Sequence, residues 1–359
     1  MPRELDRKVA RIAVHRLDVP LITPYRLSFG AQTHFYCVLV EMEDQDGRIG
    51  WGEAALLPGY TDETVDSSFA LACHSAPGLI GLPLAEALSR AEGLIEPAAF
   101  TATAFITAIE HLAGHPTLTR SGRAPLLGTV NGKPDDPAAL EAEIETLLAK
   151  GYATLKVKVG WDVARDLTAV ASIRAIVAGR AVLRLDGNQG YSTEQALAFL
   201  KGLDPAGIEL LEQPCAAGDW DAAVAVKQAA PCPVMLDESI YGEADIHRAA
   251  ELGCADYIKL KLMKMGGLDR LERGLALIRQ LGMRPVMGNG VASDLGCWME
   301  ACVAVKALDN AGEFNGFLKP HLRLLTPSLD TDGPDVRLDG RVRAVDPSAL
   351  RGATSREFR

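Results

Sequence analysis

The chain has no run of about 18 apolar residues, so a membrane-spanning helix is not expected. Its opening stretch, MPRELDRKVARIAVHR, lacks an uninterrupted apolar core followed by a small-residue cleavage site, which speaks against a secretory signal. Seven cysteines are scattered at Cys37, Cys73, Cys215, Cys232, Cys254, Cys297 and Cys302 without C-x-x-C spacing. That pattern predicts reduced thiols in a cytoplasmic protein and excludes a disulfide frame or a zinc site. Positive charge is also short: 37 Lys and Arg against 47 Asp and Glu give a formal net charge of -10. A partner such as nucleic acid or an anionic membrane surface is therefore not expected, because both reward a basic face. No β-branched run carries the Gly-rich turn of a dinucleotide site.

What is present is a rhythm. With 48% hydrophobic and 23% charged residues over 359 positions, the chain can bury a sizeable core, with two domains expected. From Pro125 onward, short apolar runs alternate with helix-period segments: LLGTV, ATLKVKVG, AVLRLDGN, IELLEQP, PVMLDES, YIKLKL, RPVMGN and GEFNG. Eight such units predict an α/β fold of the (β/α)8 barrel type. The segment DPAALEAEIETLLAKG suits one of its helices, opening on an Asp cap and closing on Gly151. Residues 1–124 read differently, with strand alternation around a QDGR hairpin turn followed by helices from about Thr61 to Gly114. The expected organisation is an α+β capping domain at 1–124, the barrel at 125–321, and a Pro-, Asp- and Gly-rich segment at 322–359 that returns to the cap.

Charged side chains interrupt the apolar runs at particular places. Lys156 and Lys158 share one face of the second run, and Lys259 and Lys261 share one face of the sixth. Asp186, Glu212 and Asp237 stand near the ends of the third, fourth and fifth runs. Strand ends are where a barrel builds its active site, although any one acid there could instead cap the next helix. Three inward carboxylates on strands about 4.8 Å apart repel one another unless a cation lies between them. Oxygen donors without Cys or His suit a hard divalent ion, so Mg²⁺ is expected, one per subunit, with Mn²⁺ as a substitute. Strands two and six oppose each other in a ring of eight, which sets an amine on either side. One lysine, its pKa lowered by burial and neighbouring cations, could remove the proton beside a carboxylate while the other delivers a proton.

The combination KVK, DGNQGY, EQP, DES and KLKLMKMGG resembles the muconate-lactonizing-enzyme subgroup of the enolase superfamily, over nearly the whole chain. The resemblance implies that Asp186, Glu212 and Asp237 hold Mg²⁺, that Lys158 is the base with Lys156 in support, and that Lys261 is the opposite acid/base. It also implies specificity loops in the cap, with Tyr25, Phe29 and Tyr60 as wall residues; plain packing is an equal reading for each, and for Trp298 the favoured one. Asn188, Lys259, Asn289, Glu313 and Asn315 complete the candidate substrate contacts. A homo-oligomer acting on a small carboxylate is expected by the same likeness.

Two departures bear on substrate. Lys259 stands where members of the subgroup usually carry Asn, and the eighth run has Glu313 and Asn315 where dipeptide epimerases show Asp-x-Asp. The seventh run has no His, which disfavours the mandelate-racemase subgroup. The stretches GNGVASDLGCWMEACVA and GEFNGFLKP resemble members that dehydrate cis-3-hydroxy-L-proline, making dehydration of a hydroxylated amino acid the first expectation. Racemisation or epimerisation of an amino acid, an N-substituted amino acid or a dipeptide, and a muconate-type cycloisomerisation, are the alternatives. A Schiff-base aldolase or a non-catalytic barrel represents a different class, and neither has a use for three metal-binding acids.

Overall fold

The computed structural model describes residues 4–27, 30–57, 61–132 and 136–359. Three long antiparallel strands open the chain: β1 (Val9–Leu27), β2 (Gly30–Asp44) and β3 (Ile49–Leu56). The β2–β3 hairpin turns where the sequence predicts. Asp44 accepts backbone hydrogen bonds from Asp46 and Arg48, each at 2.9 Å, and Gly47 takes the left-handed conformation at φ 78°. Helices α1 (Val65–Ser75), α2 (Leu84–Glu92) and α3 (Ile95–Leu112) follow. Every residue of α3 from Phe100 to Leu112 is buried, as for a helix covered on all sides. It lies so close to β3 that a Cβ on Gly52 would stand 2.0 Å from Ala104 O and 2.5 Å from Thr107 Oγ1. Its other side reaches the barrel: Thr103 Oγ1 donates to Met263 O at 3.1 Å.

After β4 (Ser121–Pro125), seven parallel strands run β5 (Gly128–Val130), β6 (Thr154–Lys158), β7 (Val182–Asp186), β8 (Ile208–Glu212), β9 (Val234–Leu236), β10 (Tyr257–Leu260) and β11 (Arg284–Met287). Their order in the sheet is their order in the chain, as crossover helices of one hand require. The eighth run departs from expectation. GEFNG forms no strand ladder among the described residues, because Asn315 N bonds back to Glu313 O at 2.7 Å and the chain turns into a 3-10 segment at Gly316–Leu318. Its first two residues still bridge the sheet edges: Glu313 N donates to Met287 O at 2.9 Å, and Leu127 N to Gly312 O at 2.9 Å.

The helices between these strands start on caps other than the three conspicuous acids. Asp136 caps α4 (Pro137–Ala149), Asp162 caps α5 (Val163–Val177), Ser192 caps α6 (Thr193–Gly202) and Asp219 caps α7 (Trp220–Ala229), while α8 (Glu243–Leu252) starts after Gly242. Asp186, Glu212 and Asp237 thus have no capping duty. The C-terminal segment first builds on the barrel side, where Asp335–Asp339 pairs with β4, before Thr354–Phe358 joins the cap sheet beside β1.

Substituting Gly52→Ala forces a methyl group into the backbone of α3. It is expected to destabilise the protein by about 1–3 kcal/mol, read as a lower urea midpoint at unchanged slope; an unaltered midpoint would show that sheet and helix do not meet there.

Candidate active site

The lysines on β6 face the acids on the neighbouring strands because the register puts them level. Lys158 pairs with Asp186 across β6–β7, and Asp186 with Glu212 across β7–β8. Lys156 Nζ lies 2.7 Å from Asp186 Oδ2, 3.1 Å from Glu212 Oε2 and 2.7 Å from Glu313 Oε2. Lys158 Nζ lies 2.7 Å from Asp186 Oδ2 and donates to Asn188 Oδ1. On the opposite wall, Lys259 donates to Glu212 Oε1 at 2.8 Å and to Glu313 Oε2, with Asp237 Oδ2 at 3.6 Å. Lys261, one residue past β10, lies 2.7 Å from Asp237 Oδ2. It precedes the short helix α9 (Leu262–Met265), from which Lys264 donates to Asp237 O at 2.8 Å.

Exposure separates these amines into two kinds. Lys156 and Lys259 side chains are each 2% exposed and wedged among three carboxylates, while Lys158 and Lys261 reach the rim at 11% and 8%. A narrow cleft of about 20 Å³ opens over them, lined by Tyr25, Lys158, Asp186, Asp237, Lys261 and Glu313 among others.

The charges shift one another. Burial raises the Asp186 carboxyl, but Lys156, Lys158 and Lys259 outweigh it and hold the group near 2. Asp237 also falls well below the carboxylate range, with Lys261, Lys259 and Lys264 overriding its burial. Glu212 moves up, because burial and the adjacent Asp186 prevail over its two lysines. The expectation that burial lowers the base's pKa is corrected for Lys158: burial does act downward, but Asp186 beside it carries the ammonium above its ordinary value. Glu238, which no sequence pattern marks, is pushed up to about 7 by burial and by Asp237, and its Oε1 accepts from Asn188 Nδ2 at 2.9 Å.

The donor set suits a hard divalent ion: three buried carboxylates from successive strands, with neither thiol nor imidazole among them. Their oxygens do not all close to within 4.8 Å of one another, since Lys156 stands between Asp186 and Glu212, and Lys259 between Glu212 and Asp237. The group that does close to that spacing is Glu110, His115 and Asp269. There both Glu110 oxygens accept backbone N–H groups, from Leu268 and Asp269, at the start of α10 (Leu268–Gln280), which is a helix cap in chemistry.

The remaining candidates divide. Tyr25, Asn188, Lys259, Asn289 and Glu313 all line the cleft. Asn315 instead turns away, with Nδ2 on Leu127 O at 3.4 Å. Phe29 and Tyr60 lie outside the described residues. Trp298 is fully buried in α11 (Asp294–Ala307), edge-on to His111 at 5.5 Å, and serves packing. Sequence reading missed Lys319, whose ammonium lies 4.8 Å from the centre of the Tyr25 ring; no local pattern marks it.

Lys259→Met would leave Glu212 and Glu313 buried with less compensating charge, costing about 3–5 kcal/mol. Adding Glu313→Leu to that variant should recover much of the loss in thermal melts. A double variant no more stable than Lys259→Met would refute the pairing.

Residues 139–348 match the family described as enolase C-terminal domain-like. The L-Ala-D/L-Glu epimerase of Bacillus subtilis (strain 168) is 30% identical over 302 residues, covering 80% of this chain and 82% of that protein. Among solved structures, muconate lactonizing enzyme from Pseudomonas fluorescens complexed with muconolactone superposes with a TM-score of 0.89 at 24% identity, covering 97% of this chain and 100% of that one. A dipeptide epimerase from Cytophaga hutchinsonii, complexed with Mg and the dipeptide D-Ala-L-Val, superposes at 0.88 with 24% identity, covering 98% and 99%. The chain belongs to the enolase C-terminal domain-like family and so to the enolase superfamily, whose barrel and strand-rich cap it shares.

Proposed function

We propose that the protein is a metal-assisted isomerase that racemises or epimerises an α-amino-acid derivative by taking the proton from one face of the α-carbon and returning one to the other. The carrying observation is that the two amines nearest the cleft, Lys158 and Lys261, come from strands four places apart in the sheet. Each is tied to a separate acid of the trio, Asp186 and Asp237. Asp186, Glu212 and Asp237 would hold a divalent ion, with Mg²⁺ preferred, which when bound supplies positive charge to the substrate carboxylate. Lys158 and Lys261 exchange roles as acid and base with the direction of turnover. Lys156, enclosed by three carboxylates, keeps its proton and contributes fixed charge: Asp186, Glu212 and Glu313 hold it well above the ordinary lysine value despite its burial.

Dehydration of cis-3-hydroxy-L-proline, the first expectation from the eighth run, shares the initial proton removal. The epimerase relatives favour the isomerase reading over it, and cycloisomerisation stays the second choice. An aldolase would need a lysine nucleophile but has no use for three buried carboxylates on successive strands beside it. The division at 124/125 and 321/322, a cytoplasmic location and a homo-oligomer belong to the same proposal. Supporting it, the antiparallel and parallel sheets are separate, and no helix among the described residues is long and apolar enough to cross a membrane.

Incubation in D₂O with Mg²⁺ and a panel of N-acyl amino acids, dipeptides and hydroxyprolines, followed by NMR, should show α-deuteration with inversion. Lys158→Ala and Lys261→Ala should each lower inversion by roughly 10²–10⁴-fold while retaining exchange from the face served by the surviving lysine. Full inversion in both variants would sink the two-amine assignment, and loss of activity in EDTA that Mg²⁺ restores would support the ion.

A further inference from the structure

The two rim lysines are mounted differently. Lys158 is the last residue of β6, level with Asp186 on β7, and Asn188 takes its ammonium. Lys261 stands beyond its ladder: β10 ends at Leu260, and the chain turns at once into α9, four residues long, before Gly266 at φ 88°. A helix that short does not hold itself together, because nucleating the first turn is unfavourable. Lys261 occupies its N-cap position without a capping bond. The direction in which Lys261 leaves the barrel wall is therefore set by contacts from elsewhere.

Those contacts come from three places. Leu262 N, the first amide after Lys261, donates to Glu300 Oε1 of α11 at 2.9 Å. Thr103 Oγ1 of α3 donates to Met263 O at 3.1 Å, and Asn289 Nδ2 lies 3.0 Å from the Met263 sulfur. Glu300 is 1% exposed and is not among the residues lining the cleft. Its Oε2 has no hydrogen-bond partner among the described residues. Beside it is a space of about 10 Å³ between cap and barrel, walled by Glu53, Thr103, Met263 and Asn289 among others, which is room for about one water. An acid in that position is costly to bury, so packing alone does not account for it. Burial raises the carboxyl to about 8 against the Leu262 N–H, Lys261 and Lys259, with Glu53 adding to the rise. At neutral pH the group is thus mostly the neutral acid, which accepts from Leu262 N without pulling the Lys261 ammonium away from Asp237 as a second carboxylate would.

We propose that Glu300 is a positioning residue for Lys261: by holding Leu262 N it fixes the turn after β10 and so aims one of the two acid/base lysines, without touching the substrate. This deepens the isomerase reading and rests on it for the role of Lys261. Thr103 assists from the cap, so the aim of Lys261 depends on cap and barrel being seated together, whereas Lys158 depends on its own ladder and on Asn188. Glu300 therefore acts on one face of the α-carbon and not on the other.

The test measures, in the full-length protein with Mg²⁺, the initial rate of α-proton exchange into D₂O from each α-epimer of the N-acyl amino acids and dipeptides of the panel above, by NMR. Lys158→Ala and Lys261→Ala identify which epimer each lysine serves. Glu300→Leu, which removes the acceptor, should slow exchange from the epimer served by Lys261 by about 10- to 100-fold, through kcat with KM unchanged, and leave the epimer served by Lys158 at the wild-type rate. Glu300→Gln keeps an acceptor oxygen and should restore the lost rate. Thr103→Val should give a smaller loss on the same epimer, and it carries the test where Glu300→Leu fails to fold. An equal loss on both epimers, a Glu300→Gln variant as slow as Glu300→Leu, or no loss in either Glu300→Leu or Thr103→Val overturns the proposal. Amide hydrogen exchange of the peptide spanning residues 257–266 gives a readout independent of turnover: protection should fall in Glu300→Leu and return in Glu300→Gln, and protection unchanged in Glu300→Leu also overturns it. If the wild type exchanges no α-proton while that protection falls and returns, the isomerase reading fails and the hold of Glu300 on the turn stands.

Discussion

Ammonium and carboxylate groups interleaved at the strand ends are what the rest of the site depends on. Lys156, Lys158, Lys259 and Lys261 meet Asp186, Glu212, Asp237 and Glu313, nearly all of them out of reach of bulk water. Any one of these charges, placed there alone, would be driven to neutralise. Together they hold one another ionised, and the arrangement contributes little to stability relative to an apolar core of equal volume. Its value is chemical: a rigid set of charges aimed into one cleft, whose reorganisation cost is met when the chain folds and not when substrate arrives.

A lattice of that kind needs walls that do not move, and the cap helps to supply them. Glu53 on β3 accepts from Ser293 N at 2.8 Å, from Ser293 Oγ at 2.6 Å and from Gly296 N at 2.9 Å, all at the start of α11. The cap thereby caps a barrel helix. Asp294 beside it accepts from Leu324 N and Leu325 N, tying the C-terminal segment to the same helix. Gly52 and α3 complete the junction from the other side, so the cap strand bearing Tyr25 is positioned from several directions over the strand ends.

Much of this was legible in the chain wherever a residue broke its local pattern. Lys156 and Lys158 interrupt an apolar strand, and Asp186, Glu212 and Asp237 each end a run just before a turn. The helix caps Asp136, Ser192 and Asp219 were equally visible in kind, but which acids cap and which face inward is decided by strand register, a property of pairs and not of single runs. Lys319 and Glu53 were hidden for the same reason. Their partners, Tyr25 with Gly290 and Ser293 with Gly296, lie far away in sequence, and a lone lysine before a proline or a lone glutamate in a strand carries no local signature. The eighth run misled because it alternates well enough to suggest a strand yet is only two residues long between turns.

Lys259 shows how one departure constrains the others. A lysine in place of a neutral amide adds a full charge to the barrel interior, tenable only because Glu313 and Glu212 both reach it. That commitment removes Glu313 from the supply of acids that could greet a substrate ammonium. It also draws Lys156 and Lys259 to the same Glu313 oxygen, leaving the other oxygen turned toward Gly290. The charge of Glu313 is thus balanced from two strands away, by a lysine on β10.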